Sequence, residues 1–111
     1  MTSNEIADRL HLTASRIAQW KLDGERLRSI LEQREGPMEP LILLDVEETS
    51  GAIYREIAAF DELLADIDRT SHAAAGQIAE VGDALRLVLL TITELGTEMY
   101  GRQSADALQT A

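Results

Sequence analysis

Apolar residues in this chain recur at alternating steps of four and three, and that spacing commits it to long amphipathic helices. In the first third the series is Ile6, Leu10, Thr13, Ile17, Trp20, Gly24, Leu27 and Leu31. Positions three and four apart share one face of an α-helix, so the series forms a single stripe. Thr2 and Glu5 fit a capping box at its start. Gly36-Pro37-Met38-Glu39-Pro40, which holds both prolines of the chain, is the one strong break. Beyond it the alternation resumes at Val46, Ser50, Ile53, Ile57, Phe60, Leu64, Ile67, Ser71, Ala74, Ile78, Val81, Leu85, Val88, Ile92, Leu95 and Met99. One straight helix of that extent would reach roughly 80 Å at 1.5 Å per residue, too long for a small domain. The seam weakens at Arg69-Thr70-Ser71-His72, so a turn is expected near residues 69–76.

The expected fold is therefore all-α: a single domain built as a bundle of three long helices, about 3–35, 41–69 and 74–100. The N-terminal helix falls within 1–35, the Gly/Pro break at 36–40 and a helical pair at 41–100. The small, polar segment 101–111 reads as a frayed, flexible tail. The last helix is apolar almost all round, at Leu85, Leu87, Val88, Leu89, Leu90, Ile92 and Leu95. Such a helix is usually covered on several sides. A homodimer or larger assembly with this helix at its centre is the expectation.

Composition narrows the function. The 111 residues are 45% hydrophobic but only 4% aromatic, so the core is aliphatic. With no cysteine, thiolate metal sites, disulfides and cysteine nucleophiles are excluded. Two histidines are too few for a histidine-rich zinc site. No apolar run approaches the roughly 20 residues that span a bilayer. Met1-Thr2-Ser3-Asn4-Glu5 lacks the basic-then-apolar order of a secretory leader, so a cytoplasmic protein with no membrane partner is expected. The net charge is −10. Residues 1–36 carry six acids and six bases, so the excess lies wholly in residues 37–111. Such a surface repels phosphate backbones and disfavours nucleic acid as a partner.

Acid clusters can nevertheless hold a divalent cation. Glu80 and Asp83 stand three apart and project together, and Asp45 or Glu47 can join Glu48 near the start of the second helix. If these helices pack antiparallel, carboxylates from both could converge, and an oxygen-only cluster suits Mg2+ or Mn2+. The plainer reading of the same acids is a solvated face on an acidic bundle.

Glu80-Val81-Gly82-Asp83-Ala84-Leu85, continuing through Val88-Leu89 to Leu95-Gly96, resembles the second metal-binding helix of the MazG-like nucleoside triphosphate pyrophosphohydrolases. That pattern is Glu-x-x-Asp, an apolar helix, then Leu-Gly. Their first motif, Glu-Glu-x-x-Glu, is approached by Leu44-Asp45-Val46-Glu47-Glu48-Thr49-Ser50-Gly51, with Gly51 where a third acid belongs. The likeness spans roughly residues 41–97. It implies an all-α enzyme that uses Mg2+ to cleave a nucleoside triphosphate to a monophosphate and pyrophosphate. Glu47, Glu48, Glu80 and Asp83 would be its catalytic and metal-binding residues. Asp45 replaces Glu47 if the first motif is shifted, and Arg55, Arg69 and Arg86 are candidates to meet phosphates. The missing acid at Gly51 implies a weakened or displaced metal and an altered or inactive member.

Three other readings compete. His72-Ala73-Ala74-Ala75-Gly76, followed by Val81-Gly82, resembles the signature of histidine-phosphotransfer domains, with Ala75 where their basic residue stands. Residues 5–20 resemble a helix-turn-helix, with Ala7, Leu10, Leu12, Ile17 and Trp20 at its apolar positions and His11 at its turn glycine. Ser15, Arg16, Gln19 and Lys21 would then face DNA. Finally, a non-enzymatic helical interaction protein, a chaperone or adaptor, accounts for the patterning and assigns Glu80 and Asp83 no role.

Overall fold

The structure, a computed structural model, describes residues 3–67 and 75–110. Among these residues there are three helices and no strand: α1 (Ser3–Gln33), α2 (Pro40–Ile67) and α3 (Ala75–Thr110). They pack as an elongated up-down-up bundle of 60 × 22 × 19 Å. The longest dimension matches α3, since 36 residues at about 1.5 Å each make a rod of about 54 Å. The expected turn near 69–76 falls largely outside the described residues, as do Thr2, Arg69, Ser71, His72 and Ala74.

The break between α1 and α2 forms as its residues dictate. Gly36 has φ +87°, the left-handed region that a side chain resists and glycine enters freely. Pro40 opens α2 at the position where its missing N–H costs nothing. Arg34 pairs with Glu39 across the turn at 2.7 Å, and Met38 is buried beneath it.

Contacts fix the register of the bundle. Arg26 reaches Asp45 at 2.7 Å and Thr13 reaches Glu56 at 2.8 Å, so α1 and α2 are antiparallel. A Cβ on Gly96 would lie 3.0 Å from Val46 Cγ1, and one on Gly82 would lie 3.1 Å from the Phe60 ring. These glycines let α3 lie close and antiparallel to α2. One on Gly24 would lie 3.4 Å from Ile92 Cδ1, and α1, like α3 antiparallel to α2, runs parallel to α3. Helix α3 packs along both of its partners, whereas α1 and α2 approach each other at few points and are bridged by long polar side chains.

The stripe expected on α1 is the one observed. Ile6, Leu10, Thr13, Ile17, Gly24, Leu27 and Leu31 are buried and Trp20 is half-buried against the core. On α2 the buried positions are Val46, Thr49, Ile53, Glu56, Phe60 and Leu63. Ser50, Ile57 and Leu64 sit at the flank, half-buried. Each of these three is the immediate neighbour of a buried residue, and the four-three spacing selected the wrong member of each pair. On α3, Ile78, Leu85, Val88, Ile92, Leu95 and Met99 face inward as expected.

One boundary is corrected, and two readings of the sequence are set against the packing. First, α3 does not stop near residue 100. It continues to Thr110, and Arg102 Nη1 donates to the Arg34 carbonyl at 2.6 Å while Gln103 Nε2 donates to the Met38 carbonyl at 3.1 Å. The first residues of the segment expected to fray are held on the α1–α2 turn. Second, α1 runs unbroken through His11, with Ala7 and Leu12 exposed rather than buried, so residues 5–20 are one helix and not a helix-turn-helix. Third, much of the apolar surface of α3 that suggested self-assembly is covered within the chain, because α3 is central to its own bundle. Leu87 and Leu90 remain exposed.

Candidate functional site

The acids singled out by sequence lie at two ends of the α2–α3 pair. The Tyr100 hydroxyl donates to Glu47 Oε1. Val46 stands opposite Gly96 and Phe60 opposite Gly82, which puts Asp83 level with residue 59 of α2, twelve positions from Glu47, or about 18 Å along the bundle. Glu48 is exposed beside Glu47, and Glu80 and Asp83 are exposed near the other end. The helices are antiparallel, as convergence required, but their register keeps the two acid pairs apart. Among the described residues no group of three or more acids or histidines is placed to hold a metal ion.

Other members of the two motifs have packing roles. Leu95 is buried, and Gly96 is the point where Val46 presses on α3. Gly82 admits the Phe60 ring. Asp45 pairs with Arg26, a hydrogen bond that raises the arginine's already high pKa. Gly51 faces the Arg55 guanidinium rather than a carboxylate cluster. Arg86 lies 3.6 Å from Asp61 on the bundle surface.

Sequence reasoning missed the polar centre of the α1–α2 seam. Glu56 is 6% exposed and takes the Thr13 hydroxyl on Oε1 and the Arg16 guanidinium on Oε2, with Arg9 Nη2 at 3.9 Å. Thr13 itself is 1% exposed. A signal was available: Thr13 is the polar member of the α1 stripe, with Arg9 and Arg16 one turn to either side. That arrangement calls for a carboxylate opposite.

Between α2 and α3 runs a surface groove of about 630 Å³, lined by Glu47, Gly51, Tyr54, Thr93, Gly96 and Tyr100 among others. Tyr54 is 58% exposed and Tyr100 42%. The hydrogen bond to Glu47 holds the Tyr100 hydroxyl above the ordinary tyrosine pKa, because loss of its proton would set two anions side by side. A raised pKa means that this contact favours the folded state at neutral pH and ceases to do so as pH rises through the tyrosine's own titration. Replacing Glu47 with glutamine is expected to bring the Tyr100 titration back down, read as tyrosinate absorbance in a Tyr54→Phe background.

These features define an all-α, antiparallel three-helix bundle with an acidic surface and an open groove along α2 and α3. No protein-family model matches the chain, and comparison with curated proteins and with solved structures gives no significant match. The likeness to MazG-like enzymes therefore rests on the quoted residues alone. Among the described residues, no helix is long and apolar enough to cross a membrane.

Proposed function

We propose that this chain is a non-enzymatic helical interaction protein, an acidic chaperone or adaptor that works through its surface. The observation that carries this reading is the register of α2 on α3. It separates Glu47 and Glu48 from Glu80 and Asp83 by about 16–23 Å along the bundle, so no shared ion is needed to account for any of them. The glycines of the metal-helix likeness are accounted for by helix packing. Meanwhile large apolar side chains stand exposed on a surface of strong net charge, notably Leu44, Tyr54, Leu87, Leu90 and Tyr100. Apolar positions ringed by charge mark surfaces that other proteins cover.

The rival is a Mg2+-dependent nucleoside triphosphate pyrophosphohydrolase using Glu47, Glu48, Glu80 and Asp83. The two separate in one assay. With Mg2+ or Mn2+ and each nucleoside triphosphate in turn, pyrophosphate release by the native chain is expected to equal that of Asp83→Ala, at the uncatalysed level. Release that depends on metal and disappears in Asp83→Ala would overturn the adaptor reading in favour of the enzyme.

A further inference from the structure

We infer that the α2–α3 groove is the docking site for a basic amphipathic helix of a partner protein; the inference rests on the interaction reading and names its surface and the chemistry of its partner. Each of the two helices carries a second stripe beside the one that forms the core. On α2 it is Leu44, Glu47, Gly51 and Tyr54, at steps of three, four and three. On α3 it is Leu90, Thr93, Thr97 and Tyr100, at the same steps. The stripes run antiparallel and meet at the Glu47–Tyr100 hydrogen bond. Two adjacent stripes with helical spacing are what a pair of helices offers to a further helix in a four-helix bundle.

The shape of the groove suits that occupant. Gly51 and Gly96 line its floor, exposed Tyr54 and Tyr100 supply aromatic surface along it, and exposed Leu90 stands one turn before Thr93 on α3. From Thr93 to Tyr100 the groove spans seven positions of α3, about 10 Å, or two turns of a bound helix.

Charge selects the partner. On the helical wheel, Glu48 and Glu62 lie along the outer edge of the α2 stripe, and Asp83 and Glu94 along that of the α3 stripe. Arg55 is an opposing cation on this edge, while Arg86 is engaged by Asp61. A second copy of the chain also carries −10 and would bring like charges together at this face. A helix with leucine-like residues at three-four spacing and lysine or arginine on its flanks matches both the floor and the rim.

The test uses the full chain, labelled with nitrogen-15, and a synthetic peptide of about 18 residues with leucines in that spacing and lysines elsewhere. A peptide with the same leucines and glutamate in place of lysine is the control. The lysine peptide is expected to bind, to weaken as salt rises, and to shift the amides of Gly51, Tyr54, Leu90, Thr93 and Thr97. Glu48→Lys with Glu94→Lys should weaken it roughly tenfold. Both side chains are exposed, so the fold is retained, as circular dichroism will verify. Tyr54→Ser with Leu90→Ser should weaken it at least as much, while Leu22→Ser on the outer face of α1 should leave it unchanged. Failure of the lysine peptide to bind, equal binding of the glutamate peptide, or self-association of the chain through this face overturns the proposal. Shifts confined to α1 around Leu12 and Leu22 overturn this surface while leaving the interaction reading intact. Metal-dependent pyrophosphate release, by contrast, removes the interaction reading itself.

Discussion

Truncation of Ile92 to alanine is expected to cost about 3–4 kcal/mol of folding stability, the largest effect of any single core change. Ile92 is fully buried at the middle of α3, the helix that packs on both others. Its Cδ1 fills the space over Gly24 of α1. Alanine leaves a cavity that rigid backbones on two sides cannot close, so the loss exceeds the transfer term alone. Against a total of about 5–15 kcal/mol for a domain of this kind, such a loss brings the chain close to unfolding at ambient temperature. Urea denaturation followed by circular dichroism measures it. A cost below about 1 kcal/mol would place Ile92 outside the core and contradict the central position of α3.

The second large effect concerns the buried carboxylate, and its sign is informative. Arg16→Ala is expected to cost about 2 kcal/mol, because it leaves the Glu56 carboxylate shielded from water with Thr13 and the more distant Arg9 as its remaining partners. Glu56→Met is expected to change stability by less than about 1 kcal/mol. Arg16 is 43% exposed and Arg9 is also partly exposed, so both guanidinium groups can turn to solvent. The freed Thr13 hydroxyl can bond a carbonyl of its own helix. Combining Arg16→Ala with Glu56→Met should recover most of the loss. The double-mutant cycle thereby isolates the coupling between the two side chains. Additive losses would mean that the carboxylate is not held by Arg16.

How far the fold was legible follows from these same positions. The α1 stripe could be read residue by residue because nearly every member is apolar or small. The α1–α2 break was legible because glycine and proline leave the backbone few alternatives. On α2 the reading slipped by one residue at Thr49, Glu56 and Leu63. Adjacent positions differ by about 100° on the helix, so both of a pair can approach the core, and hydropathy favours Ile57 over Glu56. What buries Glu56 is Arg16 and Thr13, forty and forty-three residues away, which no local pattern contains. The same holds for the end of α3, where Arg102 and Gln103 are fixed by carbonyls of the α1–α2 turn. For the candidate site, spacing gave the shared face of Glu80 and Asp83 and the antiparallel sense of the helices. It gave no information on how far one helix slides along the other. That offset is set by where Val46 and Phe60 meet Gly96 and Gly82.

That offset can be measured directly. The chain has no cysteine, so Leu44→Cys and Ala79→Cys place spin labels at two exposed sites near the two acid pairs without removing any acid. Electron–electron dipolar spectroscopy should give a separation of about 30 Å, unchanged by Mg2+ with or without a nucleoside triphosphate. A separation below about 20 Å, in the free chain or on adding metal, would bring the acids of α2 and α3 together and contradict the register on which this account of the protein depends.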